Sequence, residues 1–238
     1  MLKSEYPLKW RKDDFEIKIF CSIPNIATGI LLKAGNANLV IDPGDGILRD
    51  LKDEIGTEKI LSISDVFISH GHHDHLGGVW SLLTYLRVMG KKNHLSIFFP
   101  KGCVEIKSIY QAFTKVYSKS LPYKIRLKEI ENYNVFSSGK VKIKPFPVIH
   151  KEFLAAKKII RKVPAIGFKF IYKNKVICYG GDTAYCEELV KNARGSDLAI
   201  IEAGHFNEKS DDMMHMTIDE AVKVGSLAKD FFLVHVPE

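Results

Sequence analysis

Residues 69–78 read Ser-His-Gly-His-His-Asp-His-Leu-Gly-Gly, and the embedded pattern His70-x-His72-x-Asp74-His75 puts three histidines and a carboxylate within six positions. Packing gives no reason for such a cluster, whereas metal coordination does. The mostly apolar run 65–69 leads into it, and Leu76, Val79, Leu82, Leu83 and Leu86 follow at helical spacing. The spacing predicts a buried strand, a ligand-bearing loop and then a helix. On extended backbone His70 and His72 project to the same side and can share one ion, while Asp74 and His75 open the helix and can face a second. Imidazole with carboxylate suits zinc, or manganese or iron, and a motif without cysteine speaks against a closed structural site.

A chain of 238 residues, 46% hydrophobic, can bury one large core, and a single domain over residues 1–238 is expected. No apolar run reaches the length of a membrane span, and residues 1–6 lack an apolar signal core, so the expected compartment is the cytoplasm, with no membrane partner. Cys21, Cys103, Cys178 and Cys186 stand singly among apolar neighbours and read as reduced thiols. The net charge of +7 conceals a division: residues 101–175 carry +14 and the rest −7. That asymmetry suits a polyanionic substrate such as RNA or a nucleotide. The alternation of Lys140, Lys142 and Lys144 with Val141 and Ile143 fits the solvent face of a strand equally well.

Along the chain, strands are expected at 16–23, 28–33 and 39–41, then a short helix ending at Gly56, and residues 60–69 lead into the motif. After the motif helix come a strand at 95–99 and a helix at 103–117 with Val104, Ile106, Ile109, Ala112, Phe113 and Val116 as its apolar positions. The second half repeats the plan. A hairpin turns at 137–140, another joins 166–172 to 176–179, a helix spans 184–194, and a strand at 198–201 ends at Glu202. Thr217 with Glu220 is a capping-box signal for a helix over 218–228, before a last strand at 231–234. His70, His150, Asp182, Glu202 and His235 each stand at or just past the end of an apolar strand. Two sheets presenting one edge to a shared site would bring them together.

The ordered set of Asp42 in Asp-Pro-Gly, His70-x-His72-x-Asp74-His75, His150, Asp182 and His235 resembles the metallo-β-lactamase superfamily over nearly the whole chain. The resemblance implies an α/β fold, an αββα four-layer sandwich, with a dinuclear site at its edge. It implies that His70, His72 and His150 hold one metal, that Asp74, His75 and His235 hold the other, and that Asp182 bridges them, with Asp42 supporting the motif loop. Two divalent ions are the implied cofactors, zinc first.

Glu202-Ala203, His215-Met216-Thr217 and the following His235 resemble the ribonuclease Z-like phosphodiesterase branch, as does the approach from Ala165 to Asp182-Thr183. That branch implies a metal-dependent hydrolase cleaving phosphodiesters with an activated hydroxide. Asp74 would accept a hydrogen bond from the nucleophile, and His215, oriented by Glu202, would protonate the leaving alkoxide. The competing reading of the pair is structural, with Glu202 capping a strand end and His215 in a loop beside the Thr217 cap. His73 is expected outside the ligand set, and His205, near Glu202, is a candidate for substrate contact. Two departures bear on substrate. Only 31 residues separate His150 from Asp182, too few for the long protruding arm of transfer-RNA-maturing relatives, and the chain given ends three residues after His235. The basic run Lys157-Lys158-Ile159-Ile160-Arg161-Lys162 reads as solvated charge, or as a small substitute for the arm. Substrates expected are RNA ends, cyclic nucleotides or small phosphodiesters. A thioester or lactone hydrolase on the same scaffold, and a nucleic-acid-binding protein on a decayed scaffold, are the alternatives. A homodimer is one assembly open to the chain.

Overall fold

Alternation of apolar and charged residues sets up the first strands. In the computed structural model, which describes residues 5–21, 23, 26–154, 158–205 and 214–237, β1 (Leu8–Lys12) turns at Asp13 into β2 (Phe15–Ile19), and Trp10 meets Phe15 edge-on. β3 (Ile30–Ala34) and β4 (Ala37–Ile41) complete an antiparallel meander. The chain then changes mode. From β4 onward β5 (Asp65–Phe67), β6 (Leu95–Pro100) and β7 (Ile125–Ile130) are parallel neighbours in a seven-stranded sheet ordered as in the sequence. Parallel strands need crossovers. These are α1 (Ile47–Ser62), the short α2 (His73–Leu76) with α3 (Val79–Val88), and α4 (Val104–Tyr117). Leu51, Ile60, Leu82, Leu86, Ile106 and Phe113 lie in one buried cluster with Val66 and Ile97 of the sheet.

The helix expected to end at Gly56 resumes after it: Gly56, at φ 70°, kinks α1, and helix continues to Ser62. Val104 and Val116, expected on the apolar face of α4, are exposed. β1 and β7 escape a reading by apolar runs because they are edge strands whose alternate residues are charged. Lys91, fully buried, donates to the carbonyls of Leu61 and Ile63 and so ties the end of α1 to the approach to β5.

These elements form one compact unit, which ends at Ile130; a second begins at Glu131. Its six-stranded sheet runs β15-β14-β13-β12-β9-β8, built from β8 (Phe136–Ser138), β9 (Val141–Pro147), β12 (Ile166–Tyr172), β13 (Lys175–Tyr179), β14 (Leu198–Glu202) and β15 (Phe231–Val234). Both expected hairpins are present. Between β9 and β12 the chain forms a separate antiparallel pair, β10 (His150–Leu154) and β11 (Ile159–Val163). This pair holds most of the basic run read as solvated charge. Lys158 to Lys162 are indeed exposed, but the backbone of 159–162 is paired, and Lys157 lies outside the described residues. α5 (Glu187–Ala193) and α6 (Ile218–Gly225) contribute Leu189, Ala221 and Val224 to a core with Cys178, Ala199 and Ile201. The capping box is formed: Glu220 N–H donates to the Thr217 hydroxyl at 3.2 Å, and Thr217 N–H to the Glu220 carboxylate at 3.1 Å. All four cysteines are free thiols. No helix among the described residues is long and apolar enough to cross a membrane.

Candidate metal centre

In the first unit the end of β5 delivers the motif. The chain leaves the strand through Ser69 to His70, and His72 is still extended at φ −71°, ψ 152° before α2 begins at His73. The His70 and His72 rings lie 4.7 Å apart, each offering a nitrogen within 4.8 Å of the other's. Asp74 and His75 are buried on the first turn of α2, whereas His73 points outward and is exposed, as expected of a residue outside the set.

Behind these residues sits Asp42, fully buried and with positive φ (43°), just after β4. Its Oδ1 accepts from the Ser69 N–H at 2.6 Å and its Oδ2 from the Ser69 hydroxyl at 2.5 Å. Oδ2 also lies 2.8 Å from His75 Nδ1. A carboxylate only accepts, so the His75 proton is on Nδ1 and Nε2 presents its lone pair. The Ser69 hydroxyl, having donated to Asp42, can only accept from His70 Nδ1 at 3.0 Å, which sets the same tautomer there. One carboxylate thus aims two imidazoles, one directly and one through a serine. Gly44 makes this possible: a Cβ there would lie 2.1 Å from the Asp74 carbonyl oxygen and 2.5 Å from Thr28 N.

His75 Nε2 faces Asp74 Oδ2 at 3.2 Å, both side chains nearly free of solvent. With Nδ1 turned to Asp42, Nε2 and the Asp74 carboxylate are the groups left to share a cation. The donor chemistry therefore fits a divalent metal.

In the second unit the register of three parallel strands aligns the site. Tyr179 pairs with Ile200 and Ile200 with Phe232. At or just past the ends of these strands the chain reaches Asp182, Glu202 and His235. Asp182 Oδ2 lies 3.3 Å from His235 Nε2, with both groups buried. His150, at the start of β10, turns Nδ1 to the Met214 carbonyl at 2.9 Å, again leaving Nε2 as donor to a metal.

Glu202, at the end of β14 and 1% exposed, is a hub. Its Oε1 accepts from the N–H groups of Thr183 (3.0 Å) and Met216 (3.2 Å) and lies 3.2 Å from His215 Nδ1; its Oε2 accepts from Gly204 N–H at 2.6 Å. Glu202 thus holds the strand-end backbone and also contacts the His215 imidazole. His215 stacks on His235 with centroids 5.0 Å apart and keeps some solvent contact. A Cβ on Gly204 would lie 2.7 Å from the His215 ring. His205 also reaches this cluster, its ring 5.5 Å from that of His215.

The model of the beta-lactamase superfamily domain matches residues 37–235, a stretch that runs through both units. The chain belongs to the beta-lactamase superfamily. Its fold is that of the superfamily's metallo-β-lactamase proteins. The metallo-beta-lactamase fold protein YhfI from Bacillus subtilis matches with a TM-score of 0.75 at 19% identity, over 95% of this chain and 88% of that one. Human tRNase Z, short form, matches with a TM-score of 0.73 at 20% identity, over 92% of each. Among curated relatives, ribonuclease Z of Pyrococcus horikoshii is 27% identical, over 87% of this chain and 78% of that protein.

Within each unit the residues singled out by motif are neighbours: His70, His72, Asp74, His75 and Asp42 in one, His150, Asp182, Glu202, His215 and His235 in the other. The residues that motif reading passes over are Ser69, Thr183 and the Met214 carbonyl. Ser69 directly precedes the motif and carries a hydroxyl, a signal that was available; a backbone carbonyl leaves none.

Proposed function

We propose that this superfamily member is a metal-dependent hydrolase of ribonuclease Z type, a phosphodiesterase acting on RNA ends, cyclic nucleotides or small phosphodiesters. The observation that carries the reading is the Glu202–His215 pair, with Nδ1 3.2 Å from the carboxylate and the imidazole stacked on His235. Phosphodiester cleavage expels a poor leaving group that needs a proton, and a histidine so oriented can supply it. The relatives named ribonuclease Z support the same chemistry.

In this reading the ligands are His70, His72, Asp74, His75, His150, Asp182 and His235, the set that the superfamily's order of motifs implies. Zinc fits imidazole and carboxylate first, with manganese or iron next. When bound, two divalent ions supply an activated water at neutral pH and neutralise the phosphoryl charge. The chain's own residues do the rest. Asp42 and Ser69 hold two imidazoles in the ligating tautomer, and Asp74 accepts a hydrogen bond from the attacking water. Glu202 stabilises the doubly protonated His215, which donates from Nε2 to the leaving oxygen while Nδ1 keeps its proton. Free thiols accord with the cytoplasm as the compartment, and sedimentation velocity separates monomer from homodimer.

The test is a parallel assay of metal-loaded protein on bis(p-nitrophenyl) phosphate, a precursor transfer RNA with a trailer, a 2′,3′-cyclic nucleotide, a glutathione thioester and a β-lactam. Turnover of phosphodiesters and not of the lactam is expected. Thioester turnover alone would replace this reading with an acyl hydrolase, which has no need of His215. His215→Ala should slow substrates with poor leaving groups more than activated ones; equal losses on both would remove His215 from the acid role.

A further inference from the structure

The second unit holds a cavity of about 500 Å³, within the range of small-ligand sites. Its walls come from the two segments that carry candidate ligands. Ile149 immediately precedes His150, and Tyr185 and Cys186 follow Asp182 by three and four residues. The segments are joined: Ala184 N–H donates to the Ile149 carbonyl at 2.8 Å, and the Thr183 hydroxyl lies 3.1 Å from both the Ile149 N–H and its carbonyl oxygen. The cavity therefore holds a constant position relative to His150 and Asp182.

The lining is mixed in a particular way. Ile149 and Val148 offer apolar wall, while Tyr185 keeps 38% of its surface exposed. Lys223 Nζ sits 5.8 Å from the Tyr185 ring centroid, and a cation occupies one ring face only, leaving the other for a flat partner. Glu187 and Glu188 add carboxylates, and Lys162 of β11 adds a cation. Carboxylates repel a phosphate but accept from ring N–H and amino groups. A flat group with hydrogen-bond donors on its edge, joined to a phosphate outside the cavity, matches all of these features.

We propose that this cavity is a nucleobase subsite, in which Tyr185 stacks on the base next to the scissile phosphodiester and Glu187 or Glu188 accepts from its amino edge. The inference rests on the phosphodiesterase reading and narrows it to nucleotidyl substrates. Guanine, which presents a ring N–H beside an amino group, suits a carboxylate best. Uracil, whose N–H is flanked by two carbonyl oxygens, suits it least.

Titration calorimetry of metal-loaded protein with GMP, UMP and ribose 5-phosphate tests the subsite, since all three share the phosphate and only two have a base. GMP should bind at least about fivefold more tightly than ribose 5-phosphate, the low end of what stacking contributes per base, with UMP between them. Tyr185→Leu should erase the GMP advantage and Tyr185→Phe should keep it, in proteins with unchanged circular dichroism. Equal binding of GMP and ribose 5-phosphate, or a GMP advantage that survives Tyr185→Leu, overturns the subsite. Hydrolysis of bis(p-nitrophenyl) phosphate by the same preparation judges the parent reading separately: turnover with no base preference sinks the subsite alone, and no turnover sinks the phosphodiesterase.

Discussion

Replacing Asp42 with asparagine removes one oxygen from a buried group and tests how the histidine cluster of the first unit is aimed. The contacts of Asp42 include Ser69 N–H on Oδ1, and the Ser69 hydroxyl and His75 Nδ1 on Oδ2. An asparagine amide must put its NH2 on one side. Facing Ser69 N–H, it sets donor against donor at about the 2.6 Å of the present bond. Facing His75, it forces the ring proton from Nδ1 to Nε2, where Asp74 accepts it and the ligating lone pair is gone. A buried donor left against a donor costs about 1–3 kcal/mol, and loss of such a supporting contact lowers metal affinity about 10–100-fold. Asp42→Asn should therefore lower the apo protein's urea midpoint and weaken zinc binding at the site of Asp74 and His75 by that factor in chelator competition. Nitrogen-15 spectra should show His75 changing tautomer. Zinc affinity within twofold of the parent, with the Nδ1 proton retained, would refute the argument that Asp42 aims the ligands.

Gly44→Ala should disrupt the same region from another side, since its Cβ would meet backbone at 2.1 Å; a fall in stability together with lost zinc binding is expected, and an unchanged melting temperature would contradict the close approach. Glu202→Gln replaces an acceptor facing Gly204 N–H with a donor and should cost about 1–3 kcal/mol in urea unfolding, whereas His215→Ala, which leaves three backbone donors on Glu202, should cost less; the reverse order would remove Glu202 from its hub position. Burial pushes the Cys103 and Cys178 thiols up to about 12. At pH 8 the native protein should therefore leave both unlabelled by a disulfide reagent and react first at the half-exposed Cys21, with all four labelled in denaturant; rapid native labelling of Cys103 would mean that its cluster opens.

The histidine motif, the strand ends and the capping box were legible in the sequence because each is a local rule: ligand spacing, apolar run, and reciprocal side-chain and backbone bonding across three residues. The family's order of motifs is likewise a property of the chain itself. Edge strands β1 and β7 and the β10–β11 pair were not legible, since exposed strands with charged residues are held by backbone ladders that side-chain pattern does not report. Helix resuming beyond Gly56 was hidden for a related reason, a glycine that kinks α1 reading locally as a stop.

Residue types and their spacing by themselves marked out candidate metal ligands and named the side chains concerned. Only the tertiary structure decided how those side chains are aimed. Asp42 and Ser69 lie 27 residues apart and Glu202 and His215 lie 13 apart, and nothing in either local segment encodes the hydrogen bond that joins them. A tautomer, a buried carboxylate hub and a cavity beside Tyr185 arise from groups that meet through folding, and these features set the chemistry open to the candidate site.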